Sequence, residues 1–318
     1  MNYEHFGVLL QELRLSRNMT REQLAQDICT PKQIYRIEKG VYEPSLYLIN
    51  QLSIKFNMDL NEYFKMYFTS NTIIGLEGIN SINSALESGN IPLLRSLIDK
   101  YENLDEFKKG GNLQHIYYGK ALCSALSDND YKASLDYCYK GIRVEYPGFN
   151  IDTISKNIYS NVGIALLNCI SQNYFALNEN SKGLLVLNEL LTALETYVIN
   201  SPYALFEASQ FSKKIYQVVL YNVAVYLFEQ GEVKKALNYV EKGIDFSLKE
   251  YNLRHLPDLI LMKFKILYSE KKYEDAREYY NRTIYISKIA NKATILEELK
   301  NTAEIDYPEI FKDKNHKS

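Results

Sequence analysis

The stretch TPKQIYRIEKG, Thr30 to Gly40, leaves Lys32, Gln33, Tyr35, Arg36 and Lys39 on an outer face once Ile34 and Ile37 are given to an apolar one. Arg and Lys pair with guanine edges or phosphates, and Gln pairs with adenine. From Arg14 to Lys39 there are six basic residues (Arg14, Arg17, Arg21, Lys32, Arg36, Lys39) against three acidic ones (Glu22, Asp27, Glu38). The whole chain carries 37 basic and 39 acidic residues, so any contact with a polyanion has to be local. Other chemistry is not signalled. His5, His115, His255 and His316 have no metal-ligand spacing. Cys29, Cys123, Cys138 and Cys169 lack C-x-x-C spacing and read as reduced core thiols. No glycine-rich phosphate loop, dinucleotide fingerprint or nucleophile elbow is present, and Glu297-Glu298 reads as a solvated helix face. The expectation is a protein that is not an enzyme and holds no cofactor or metal.

Helices must position that basic face. Phe6, Leu9, Leu10 and Leu13 recur on a helical period until Asn18 and Met19 break it. Thr20 restarts a helix as N-cap, with Gln23 three residues on as the partner of a capping box running to Ile28. Thr30 repeats the device, with Pro31 at the first helical position, Gln33 at the third and Gly40 as the stop. A fourth helix presents Leu46, Ile49, Leu52 and Phe56 on one face, and a fifth opens at Asp59 with Glu62 at its third position. Five short helices, with about three residues between the second and third, form a helix-turn-helix layout. A helix fits the major groove, and its N-terminal end reaches base edges.

The run LAQDICTPKQIYRIEKGVYEPS resembles the Xre/Cro-type helix-turn-helix at Leu24, Ala25, Ile34, Ile37, Glu38, Gly40, Pro44 and Ser45. The resemblance implies double-stranded promoter DNA as partner, with Arg14, Arg21, Thr30, Lys32, Gln33, Tyr35, Arg36 and Lys39 as candidate contacts. Two features depart from the pattern. Arg21 stands where the family has a phosphate-binding glutamine, and Ile28-Cys29 replaces a glycine-containing turn with one a residue shorter.

From about Thr72 the chain reads as helix pairs. KASLDYCYKGI (Lys132 to Ile142) aligns without gaps on KKALNYVEKGI (Lys234 to Ile244), and YSNVGIALL (Tyr159 to Leu167) on LYNVAVYLF (Leu220 to Phe228). The run from Glu270 to Ile284 carries the same second-helix pattern. Small residues mark close crossings at Gly163, Ala224, Ala236, Gly243 and Ala276. These segments resemble tetratricopeptide repeats with irregular spacing; Ala236 and Ala276 are 40 residues apart. Asn90 to Tyr101 reads as the second helix of a degenerate first repeat. About five pairs and a last helix in NKATILEELKNTAEI complete the array. The fold class is all-α: a five-helix domain (1–68), a hinge (69–72), a right-handed solenoid (73–310) and a tail (311–318).

In such a solenoid the first helix of each pair lines a concave face that suits an extended peptide. Asn161 and Asn222 align at one position of two first helices, and Asn157 sits a turn before Asn161. Amides match both backbone groups of a peptide. Lys120 and Lys265 would meet a carboxylate, and Tyr226, with Tyr117 and Tyr221, would line apolar subsites. The competing reading has these amides bonding neighbouring helices. The combination of domains resembles the RNPP/Rgg-type regulators of Gram-positive bacteria. That resemblance implies a cytoplasmic homodimer without membrane association whose repeats bind a short signalling peptide. The alternatives are a Rap-type adaptor for partner proteins and a phage or mobile-element regulator of the same architecture.

Overall fold

A computed structural model describes residues 5–58, 60–61, 73–199 and 210–312. Contacts divide the chain into two compact units, Met1–Asn129 and Asp130–Ser318. Helices dominate both, and no strand occurs among the described residues. Most of the fifth helix expected from Asp59, the hinge 69–72, His316 and most of the tail lie outside the described residues.

The first unit opens with α1 (Phe6–Ser16), α2 (Arg21–Ala25), α3 (Pro31–Glu38) and α4 (Leu46–Phe56). Their core is Phe6, Leu10, Leu24, Ile34, Ile37, Leu48, Ile49, Leu52, Phe56 and Leu60. The capping box at Thr20 forms in both directions. At Thr30 only the threonine half forms, Oγ1 accepting the Gln33 amide at 3.2 Å. Two expectations change. The second helix stops at Ala25 rather than Ile28, because Gln26 turns extended and Asp27 takes φ +65°. Asp tolerates that left-handed conformation, which does the work of the missing glycine. Leu46 is 64% exposed, since it starts α4 on the outer side, and Leu48 takes its place in the core. The tightest approach is at Gly7, where a Cβ would lie 1.7 Å from the Ile37 carbonyl oxygen. That contact sets how α1 braces α3.

The same unit continues with α5 (Ile73–Ser88), α6 (Ile91–Tyr101) and α7 (Gly110–Leu126) around Ile82, Leu94, Ile98, Phe107 and Ile116. The second unit holds α8 (Tyr131–Glu145), α9 (Asn161–Ala176), α10 (Asn180–Leu194), α11 (Gln210–Glu229), α12 (Val233–Lys249), α13 (Leu256–Ser269), α14 (Tyr273–Ile289) and α15 (Ala293–Asp306). Each packs on its neighbour in sequence, and α11 also touches α9 and α13, so the first helices stand side by side.

One local rule generates the pairs. Gly89, Asn129, Asn178, Gly231, Lys271 and Asn291 all have positive φ, and each lies two residues before the next helix. A single left-handed residue reverses the chain. Four residues into the second helices stand Ser134, Gly183, Ala236 and Ala276, all buried where the helices cross. The second-helix alignment therefore holds in space. The first-helix alignment does not. Asn161 is the first residue of α9, whereas Asn222 lies well inside α11, seven residues before its end. Matched on the turns, the counterparts of Asn222 and Ala224 are Cys169 and Ser171. Fifteen residues between α8 and α9, including the short helical turn Ile151–Lys156, stretch that repeat and shift the register.

Candidate nucleic-acid interface and first-helix face

Ile34, Ile37 and Glu38 share the inner side of α3, and the other side faces outward. Lys32, Tyr35, Arg36 and Lys39 are exposed, as is Thr30, and Gln33 is half-buried. The Gln33 side chain does not close a box on Thr30, so its amide is not tied to the cap. These residues form one outward face at the start and middle of the helix.

Glu38 organises what lies behind that face. Its carboxylate is fully enclosed and accepts from Arg14 Nε at 2.5 Å and from Arg14 Nη2 at 3.2 Å. Arg14 also donates to the Met19 carbonyl at 2.9 Å. Arg14 is 6% exposed, so it braces α1 against α3 from inside instead of standing on the surface. The same carboxylate accepts from Arg21 Nε at 2.6 Å. The Arg21 side chain is one-third exposed, and its guanidinium carbon lies 5.1 Å from the centre of the Tyr35 ring. Setting aside the buried Arg14–Glu38 pair leaves five basic and two acidic residues between positions 14 and 39 on the surface. Glu38 was missed as a site residue, although its place four residues after Ile34 puts it on the buried stripe.

In the second unit the candidate polar residues have partners. Asn222 Nδ2 donates to Asn168 Oδ1 at 3.2 Å, joining α11 to α9. Asn168 was not foreseen, because the alignment had matched Asn222 with Asn161. Asn161 is exposed at the start of α9. Asn157 lies in the preceding loop and donates to the Thr153 carbonyl at 2.9 Å. Tyr226 stacks on Phe175 with ring centres 5.1 Å apart. Lys265 pairs with Glu298 at 2.9 Å, and burial opposes its charge while Glu298 more than restores it. Lys120 belongs to the first unit, where it pairs with Glu102. The structure thus places Asn222 and Tyr226 on α11 beside Asn168 on α9, and assigns Asn157 to a loop cap.

Cys138 and Cys169 are buried with Ser134 and Asn173, whose amide donates to Ser134 Oγ at 2.8 Å. Burial pushes the Cys138 thiol well up, in keeping with a neutral core group. No cluster of three metal-ligating side chains occurs among the described residues. None of the described helices is long and apolar enough to cross a membrane.

Fold and site define a class: a helix-turn-helix domain whose third helix has a basic outer face, followed in the chain by an array of helix pairs. Residues 10–63 match the family model for a helix-turn-helix, HTH_3. No curated protein matches the chain by sequence. Among solved structures, PlcR from Bacillus thuringiensis in complex with the peptide PapR7 and DNA is similar at a TM-score of 0.71 and 18% identity, over 94% of this chain and 100% of that one. ComR from S. thermophilus, in complex with DNA and its signalling peptide ComS, is similar at 0.59 and 16%, over 93% and 97%. Aspartyl phosphate phosphatase F from Bacillus subtilis is similar at 0.52 and 14%, over 95% and 74%. At these identities the shared property is the fold.

Proposed function

We propose that the chain is a transcription regulator that reads promoter DNA through α3 as a homodimer and is switched by a short peptide bound along its first helices. The observation that carries the reading is the outward face of Lys32, Gln33, Tyr35 and Arg36 on a helix whose back is tied through its own Glu38 to Arg14 of α1. A rigid helix with a free basic face is what major-groove readout requires. The match of residues 10–63 to the helix-turn-helix model supports DNA over a partner protein as the first target. PlcR and ComR share this fold and have been seen with both DNA and a peptide.

The peptide would lie over α9, α11 and α13. The Asn168–Asn222 pair can open to meet a peptide's N–H and C=O groups, since each amide is both donor and acceptor. Lys265, half-buried beside Glu298, would exchange that partner for a peptide carboxylate. We assign DNA recognition to residues 1–68, the hinge to 69–72 and peptide sensing with dimerisation to 73–310. The place of action is the cytoplasm, where both DNA and an imported peptide are present. Switching DNA affinity tenfold requires the peptide to favour one arrangement by about 1.4 kcal/mol.

The test uses the full chain with a pool of short linear peptides, read by the shift in melting temperature. A subset that raises it in wild type but not in Asn222→Asp is expected. Peptides that stabilise both forms equally would remove Asn222 from the site, and a pool with no stabilising member would overturn the sensor.

A further inference from the structure

Arg21 is one of two places at which this chain departs from the helix-turn-helix pattern, and a phosphate contact is the role its charge first suggests. Its surroundings point elsewhere. Nε donates to Glu38 at 2.6 Å, and Glu38 is itself clamped by Arg14 from the interior. The guanidinium plane is therefore oriented by a buried carboxylate that has no freedom to move. Against that oriented cation stands the ring of Tyr35, its centre 5.1 Å away. Tyr35 is 47% exposed on the outer face of α3, one turn from Lys32 and Lys39 and next to Arg36.

We infer that Arg21 is a positioning residue for Tyr35, and that the stacked pair sets the base preference at one position of each half-site. The inference rests on the DNA reading of α3. A half-exposed tyrosine would otherwise sample several rotamers and lose that freedom on binding. Stacking on a cation fixes the ring before DNA arrives, so the ordering cost is met during folding. The held ring presents an apolar edge, suited to a thymine methyl. A lysine at position 21 would keep the charge but lose both the planar stacking surface and the Nε donor. The chain Arg14–Glu38–Arg21–Tyr35 thus links the inside of the domain to the surface that reads bases.

The two roles for Arg21 separate by experiment. A duplex pool with a randomised 20-base-pair centre is selected with full-length wild type, and the enriched sequence and its single-base variants are then titrated with Arg21→Lys, Tyr35→Phe, Tyr35→Ala and Arg21→Lys/Tyr35→Ala. A positioning role predicts that Arg21→Lys and Tyr35→Ala relax preference at the same base pair, by about tenfold. It also predicts that Tyr35→Phe keeps the preference, that the double variant is no worse than Tyr35→Ala, and that the salt dependence of Arg21→Lys matches wild type. Arg21→Lys with the wild-type preference intact would overturn the inference, as would additive losses in the double variant. A fall in affinity equal on all sequences would do the same and return Arg21 to phosphate binding. Tyr35→Ala lies on the surface and tests the ring even where the position 21 variant folds poorly. If wild type enriches no sequence, the DNA reading fails and this inference falls with it; if it enriches one that Tyr35→Ala leaves unchanged, only the inference falls.

Discussion

Replacing Glu38 by Gln tests how α3 is held. The change is isosteric but removes the negative charge between two guanidinium groups. Arg14 is 6% exposed, and no other buried carboxylate then stands among the described residues of the domain. Removing one partner of a buried ion pair costs about 3–5 kcal/mol, because the remaining charge stays desolvated. The loss on the Arg21 side is smaller, about 1 kcal/mol or less, since that side chain is one-third exposed. Set against about 0.05–0.15 kcal/mol per residue, a domain of some sixty residues has about 3–9 kcal/mol to lose. The substitution therefore removes about a third or more of its stability. At about 4–8 °C per kcal/mol the first transition falls by about 12–40 °C. Thermal unfolding with amide exchange of α1 to α4 reads the effect locally. The combined change Arg14→Met/Glu38→Leu replaces the pair by apolar groups of similar size and should regain most of the loss. Glu38→Gln melting within about 2 °C of wild type would refute the argument, because it would mean that Arg14 reaches water.

Three further outcomes follow from the geometry. Gly7→Ala would put a Cβ 1.7 Å from the Ile37 carbonyl and 2.9 Å from the Glu38 Cα, so α1 must lift from α3; a loss of about 3 kcal/mol or more is expected in denaturant unfolding. Burial lowers the pKa of His115, against a bond to the Gly111 carbonyl that raises it. The unfolded chain then binds the proton first, so stability is complete above about pH 6.5 and falls as pH drops below it until the folded pKa is passed; His115→Gln should flatten melting temperature between about pH 7.5 and 5.5. Lys271 holds the left-handed turn that Gly231 holds one repeat earlier, at φ +60°. Lys271→Gly should stabilise by up to about 1 kcal/mol, and Lys271→Ala should not.

Local signals were the readable ones. Thr20, Thr30, Pro31 and Gly40 announce helix ends through backbone chemistry that needs no tertiary partner, and the structure follows them. The second-helix repeat was equally legible, since a small residue at a fixed distance from the turn is required wherever two helices cross. Asp27 escaped because a side chain other than glycine took the left-handed position. Arg14 escaped because a cation on the apolar stripe of α1 reads as surface until its carboxylate, 24 residues away, is known. The Asn161–Asn222 match failed for a related reason. A gap-free alignment assumes equal helix lengths, and the extended loop before α9 breaks that assumption. Side-chain pairing across elements, as between Asn168 and Asn222 or Arg21 and Tyr35, depends on register that sequence periodicity does not carry.

Sequence selection by the full-length chain and by its Lys32→Ala/Gln33→Ala/Arg36→Ala variant asks whether α3 reads bases. All three side chains lie outside the core of the domain, so the variant keeps its fold and loses only the polar outer face of α3. Wild type is expected to enrich two inverted half-sites about one or more helical turns apart, and the variant to retain weak, salt-sensitive binding with no enriched sequence. Enrichment of the same half-sites by the variant would contradict that reading of α3, because recognition would then belong to some other part of the chain.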